Sequence, residues 1–301
     1  MNNKKQIHIP VLKKEVLEFL NPKPNENFVD CTVGQAGHTI AIIEAIGPKG
    51  KVLGIDWDKE NIEDLKATAQ ELKIKNRLIL ANDNFSNLKE IVKREHFSKV
   101  SGILFDLGFS SWHIEKSGKG FSFQKKEPLD MRYNLNNSLT AEKILNYWSF
   151  YEIKKILQDY GEEKFAENIA KKIIEKRKEK EIKNTFQLVE IIKTAVPQWY
   201  IRQKIHFVTR TFQALRIAVN NELENLKKAL PQALEILEVG GRLVVISFHS
   251  LEDRIVKNFF KENKEKIKIL TKKPILPSLE EIKNNSRSRS AKLRAIIKLI
   301  N

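Results

Sequence analysis

The sequence predicts an α/β fold, a doubly wound parallel sheet interrupted by an all-helical insertion. Three observations predict it. Residues 27–108 alternate short apolar runs with stretches of helical periodicity, which implies parallel strands joined by right-handed crossovers. From about 140 to 195 every pattern is helical. Strand chemistry then returns in GGRLVVISFH and in the C-terminal AKLRAIIKLI.

The elements follow in order. NFVDCTV reads as a buried strand that ends at Gly34, and His38–Ile46 is apolar at helical spacing until Gly47 and Pro48 stop it. KVLGIDWD is a second strand, followed by a helix over Lys59–Leu72. RLILAND is a third strand, Phe85–Glu95 a helix, and VSGILFDLG a fourth strand. Residues 112–136 are polar and punctuated by Gly and Pro. Within the helical stretch, Ser149 and Glu152 have capping-box spacing, Gly161 is a stop, and Thr185 is a cap for FQLVEIIKTAV. The charge run Lys171–Lys183 reads as a solvated helix face, and 206–229 as a long amphipathic segment. The simplest account is a discontinuous α/β domain with a helical insertion at about 112–205.

Composition bounds the function. Of the 301 residues 41% are hydrophobic, enough for a large core. The single cysteine, Cys31, excludes an internal disulfide and argues against a cysteine-based zinc site; a reducing compartment fits and no metal is expected. No signal-peptide pattern and no run of membrane-spanning length is present, so a soluble cytoplasmic protein is expected. Lys and Arg number 54 against 38 Asp and Glu, a formal charge of +16. Such a balance favours an anionic partner, nucleic acid before a membrane surface. Residues 261–301 alone carry twelve Lys and Arg against four Glu, which points to a basic face rather than a uniform bias.

Four segments carry candidate chemistry. DCTVGQAGH (30–38) places small residues where backbone can approach a ligand at the end of the first strand, and Asp56 ends the second, where an acid can accept both hydroxyls of a ribose. Such a site suits NAD or S-adenosylmethionine. The spacing of Gly34, Ala36 and Gly37 does not match G-x-G-x-x-G, and Asp30 would repel a pyrophosphate but suit a ligand bearing an ammonium. The pattern therefore leans to S-adenosylmethionine. DLGFSS (106–111) ends the fourth strand: Asp106 could accept from an exocyclic amine, or cap the next turn, and Phe109 could stack on a base. HSLEDR (249–254) puts His249 at the same sheet edge, with helix capping by Ser250 and Asp253 as the structural alternative. In NSRSRSAKLR (285–294), Arg287, Arg289, Lys292 and Arg294 interleave with hydroxyls, as phosphate ligands or as a solvated loop.

With HIPVL (8–12), GIDWD (54–58), GFSF (120–123), PLDMR (128–132), RTFQALRIAVNNEL (210–223) and ISFHSLEDR (246–254), these segments make nine motifs in order over nearly the whole chain. The set resembles the MraW/RsmH family, bacterial S-adenosylmethionine-dependent 16S rRNA cytosine-N4 methyltransferases. The resemblance implies methylation of one cytidine in the decoding centre of the small ribosomal subunit, with 16S rRNA as partner. It implies a Rossmann-like class I methyltransferase domain over 1–111 and 206–301 and an inserted helical, substrate-recognising domain over 112–205. Cofactor contacts carry over to Ala36, Gly37, His38, Asp56, Phe85, Asp106 and His113. This chain departs from the family's usual pattern in three places. Ala36 stands where a second glycine is usual, His113 where Gln is usual, and Phe207 where Pro is usual. For such chemistry Asp106 is the candidate acceptor for the amine, and an extruded cytosine needs an aromatic or guanidinium platform, for which Phe109, Phe121, Phe123 and Arg132 are candidates.

Overall fold

The computed structural model describes residues 10–108 and 117–300, so the expectations placed on Phe109 and His113 lie outside the described residues. The chain forms two compact units, 1–108 with 223–301 and 109–222.

The first unit is built on a seven-stranded sheet. Its strands are β1 (Asn27–Asp30), β2 (Val52–Asp56), β3 (Leu78–Asn82), β4 (Val100–Asp106), β5 (Leu237–Ser247), β6 (Ile267–Ile269) and β7 (Lys292–Lys298). The order is β3-β2-β1-β4-β5-β7-β6. The first five strands are parallel, and β7 runs antiparallel between β5 and β6. The chain winds outward from β1 to β3, then crosses back to β4, so the order reverses between β1 and β4. In open α/β sheets ligands bind outside the carboxyl ends of the strands at such a reversal.

The strands read as near-continuous apolar runs because both faces are covered. Ile103 and Phe105 of β4 and Leu243 and Val245 of β5 enter one core with Leu88, Ile91, Leu230 and Phe260. Leu104, Val244 and Ile246 enter the opposite core with Val16, Leu20, Phe28, Ile42 and Ile43. Gly102 leaves room for the Phe28 ring, which a Cβ would meet at 2.3 Å. The amphipathic segment after 206 is two helices, Thr209–Asn220 and Glu222–Ile236, separated at Asn221, whose φ of 51° ends the first.

The second unit packs the helices Ala141–Tyr147, Phe150–Asp159, Ala166–Glu179, Thr185–Ala195 and Thr209–Asn220 around Ile144, Ile153, Leu157, Ile169, Ile173, Leu188, Ile192 and Leu215. The Ser149–Glu152 capping box is present. At the fourth helix the cap is Asn184 with Gln187, not Thr185. Thr185 is fully buried, and its hydroxyl donates to the Lys125 carbonyl. The unit also reaches further than the sequence suggested. Phe212, Leu215 and Val219 are in its core, so residues 206–222 group here and the chain returns to the sheet at Leu223 rather than at 206.

One buried polar contact in this unit has a measurable consequence. The Tyr200 hydroxyl donates to both oxygens of Glu163 at 2.9 Å, and Glu163 is only 4% exposed. Tyr200→Phe is expected to cost about 2 kcal/mol, because a buried carboxylate loses its donor. Burial, and then the Glu163 bond, push the Tyr200 phenol well above its ordinary value. The stabilisation is therefore complete below about pH 10, the unfolded value, and is lost as pH rises through the folded one. The unfolding free energy, read by denaturation from pH 9 upward, should fall less steeply for the variant than for the parent; equal slopes would contradict the assignment.

Candidate functional site

The carboxyl ends of β1, β2 and β4 each carry an aspartate: Asp30, Asp56 and Asp106. Between them runs the loop that leads into the helix Gly37–Ala45. Gly34 and Ala36 both have left-handed backbone, with φ of 48° and 60°. Ala36 therefore holds a conformation that glycine adopts more easily. Gly37 faces Pro10, whose ring a Cβ would meet at 3.2 Å.

Asp56 organises this loop. Its carboxylate accepts from the Gly34 amide at 3.1 Å, the Asp58 amide at 2.9 Å and the Asn61 side chain at 2.7 Å. Asn61 also donates to the Gly34 carbonyl at 2.6 Å, which ties the loop to the next helix. Asp58 caps that helix through the Glu60 amide. Asp56 thus stands at the strand end with its orientation fixed from three sides, as a ribose acceptor requires.

Asp30 differs from the expectation. It is 1% exposed, and its two oxygens already accept from the Thr32 amide at 3.1 Å and the Thr39 hydroxyl at 2.6 Å. Burial pushes its pKa up, and Thr39, His38 and the Thr32 amide offset this only in part. Asp30 shapes the loop rather than presenting a free carboxylate to a ligand.

The unsatisfied groups lie one strand away. Among the described residues, both ring nitrogens of His38 are buried without a hydrogen-bond partner, and so is Oδ1 of Asp106. His38 Nε2 stands 3.5 Å from Asp106 Oδ2. The Asp106 amide donates to the Thr32 hydroxyl at 2.7 Å, which fixes the end of β4. Buried polar atoms are normally paired, so these three mark a cradle for a polar ligand. Beside it, Phe85 packs edge-on against Phe105 at 5.6 Å. Its turn is held by Asn84, which accepts from Ser86, and by Asp83. Burial raises the Asp83 pKa, but bonds from Arg94, Asn87 and the Asn84 amide outweigh it and hold the carboxyl below its ordinary value.

This donor set fits S-adenosylmethionine. The carboxylates of Asp56 and Asp106 at one edge favour a cationic ligand and disfavour a pyrophosphate. Asp56 suits the ribose hydroxyls, Phe85 offers an apolar wall, and His38 and Asp106 supply unpaired polar atoms. Thr32, Thr39 and Asn61 also build the site, although sequence reasoning passed over them. Their only signal was position, inside or just after the loop and one turn into the following helix.

Several other expected site residues are committed elsewhere. Arg132 binds Asp130 through Nε and Nη2, both at 2.8 Å, and donates to the carbonyls of Leu135 and Asn137. With those donors occupied, it stiffens its own turn. Phe121 stacks on Tyr133 at 5.5 Å, and Phe123 lies on His206 at 4.6 Å. His249, not Ser250, is the N-cap of the helix Ser250–Glu262; it forms a capping box with Glu252. Arg294 is 9% exposed at its side chain and pairs with Asp253 at 2.7 Å, so it is structural rather than a phosphate ligand. Arg289 is exposed, and Arg287 and Lys292 are half-buried around a short 3₁₀ turn, Ser286–Ser290, whose Ser288 is fully buried.

Comparison with known proteins identifies the family. Residues 5–299 match the model of the MraW methylase family. A ribosomal RNA small subunit methyltransferase H from Dictyoglomus thermophilum is 49% identical, covering 98% of this chain and 97% of that protein. Proteins of the same name from Halothermothrix orenii and Thermosipho melanesiensis are 45% and 48% identical, covering 98% and 95% of this chain and 99% and 96% of their own lengths. With the match spanning almost every residue, the chain belongs to the MraW methylase family.

Proposed function

We propose that this chain transfers a methyl group from S-adenosylmethionine to N4 of a cytidine in the decoding centre of 16S rRNA. The observation that carries the reading is the β1–β4 edge. Asp56 is held there by hydrogen bonds beside Asp106 Oδ1 and the His38 ring, whose nitrogens have no hydrogen-bond partner among the described residues, in a chain of this family. S-adenosylmethionine, when bound, supplies an electrophilic methyl on a sulfonium. Asp56 holds the ribose, and the loop at 34–38 lets backbone approach the ligand. Asp106 accepts a hydrogen bond from the exocyclic amine. The amine lone pair is delocalised into the cytosine ring, and that bond favours a pyramidal nitrogen held for attack. The proton can leave after transfer, so no strong base is required of the chain.

The setting is the cytoplasm, with the small subunit or its rRNA as partner. No helix among the described residues is long and apolar enough to cross a membrane. Nucleoside mass spectrometry of 16S rRNA from cells with and without the gene tests the reading. N4-methylation at one decoding-centre cytidine should disappear with the gene and return with it; its persistence without the gene would refute the assignment.

The basic tail is the second part of the reading. Replacing Arg287, Arg289 and Lys292 together is expected to reduce the salt dependence of RNA binding by about 0.7 in log–log slope for each phosphate no longer neutralised. S-adenosylmethionine affinity should not change. Arg294→Ala is expected to behave differently: it leaves Asp253 unpaired, lowers stability and spares the slope. An unchanged slope in the triple variant would make the tail a solvated turn.

A further inference from the structure

The helical unit contains a cleft of about 600 Å³ that the methyl-transfer site does not use. Its lining carries three lysines, Lys126, Lys176 and Lys180, against Glu179 and Glu190, together with Asn184, Phe186 and Gln187. It lies against the charge run 171–183, which holds seven Lys and Arg and three Glu. Much of that run is neutralised in place. Lys171 pairs with Glu167, Lys172 with Glu175 and Lys176 with Glu179, while Arg177 donates to the carbonyls of Leu145 and Trp148. Lys126 and Lys180 are different: both are exposed and both face the cleft. Phe186, at the start of the helix Thr185–Ala195, is 44% exposed beside them.

The walls are fixed. The Thr185 amide donates to the Glu127 carbonyl at 3.0 Å, and the Leu129 amide to the Lys183 carbonyl at 3.2 Å, so the strand-like segment 127–129 is zipped to 183–185. Asn146 clamps both the amide and the carbonyl of Ile182 at 3.0 Å. Asn184 and Gln187 are held by their capping box. Phe186 is therefore presented from a hydrogen-bonded frame, and Lys126 adjoins that frame at Glu127.

An exposed aromatic ring with cations on rigid walls is the arrangement that holds single-stranded nucleic acid, with the base on the ring and the phosphates on the lysines. We propose that this cleft binds an unpaired nucleotide of the rRNA substrate other than the methylated cytidine, with its base on Phe186 and its phosphates on Lys126 and Lys180. The proposal rests on the rRNA-methyltransferase reading and adds a second point of attachment to it.

The test uses the purified full chain, methyl-labelled S-adenosylmethionine and small subunits that lack the modification. Phe186→Ala should raise KM for subunits about tenfold, and Phe186→Trp should restore it, since any stacking ring serves. The double variant K126E/K180E should bind rRNA more weakly, with a smaller salt slope. In all three variants the S-adenosylmethionine dissociation constant should match the parent, which shows that the fold is intact. Ultraviolet crosslinking should join the peptide containing Phe186 to rRNA. Parental KM in both Phe186→Ala and K126E/K180E would overturn the proposal while leaving the methyltransferase reading intact, as would crosslinks to a subunit protein in place of rRNA. A parent chain that neither binds nor methylates subunits would overturn both.

Discussion

Asp56→Ala should weaken S-adenosylmethionine binding about a hundredfold. In the proposed function the carboxylate at the end of β2 accepts from two ribose hydroxyls. Each charge-assisted bond is worth roughly 1.5–3 kcal/mol, and 1.4 kcal/mol is a factor of ten. The same substitution releases the Gly34 amide and the Asn61 side chain, so the loop loses its tether as well. Asp56→Asn separates these effects. It keeps one acceptor oxygen for the loop but removes the charge, and its affinity should fall between the parent and the alanine variant. Titration calorimetry reads both. Parental affinity in Asp56→Ala would remove Asp56 from the donor site.

Asp106→Asn should slow the chemical step about a hundredfold at saturating donor, the scale seen when one positioned electrostatic group is removed from a reacting centre. The amide keeps the shape of the side chain and the main-chain bond to Thr32. What changes is the oxygen without a partner, which can no longer accept from the amine as an anion. Single-turnover measurement isolates this step from binding and release. A parental rate would reduce Asp106 to a strand end tied to Thr32.

Most of the sheet was legible because its strands alternate with helices at regular spacing and are buried on both faces. β1 to β4, the core of β5 and the terminal β7 all coincide with apolar runs in the sequence. β6 has three residues, too few for a period to show, and it exists because β7 offers it an edge. The boundary at 206 was misplaced for a related reason. An amphipathic helix reveals that one face is buried, not which core buries it, and Thr209–Asn220 buries its face among the helices.

The loop at 34–38 and the aspartates at the strand ends were legible from glycine and aspartate in the sequence, because they follow directly from where the strands stop. Arg132, Arg294 and His249 were not, because a polar residue in a motif looks the same whether it meets a ligand or a neighbour. Asp130 and Asp253 decide the first two, each by a short ion pair. Glu252, three residues on, decides the third by completing a cap.

The most direct measurement is methyl transfer in a defined mixture of purified chain, methyl-labelled S-adenosylmethionine and small subunits from cells lacking the gene. The 16S rRNA is then digested and its nucleosides are separated by mass. The account predicts label in N4-methylcytidine alone, recovered from a single fragment of the decoding centre. Label on carbon 5 of the base, on a ribose or on another nucleoside, or no label at all, would contradict it.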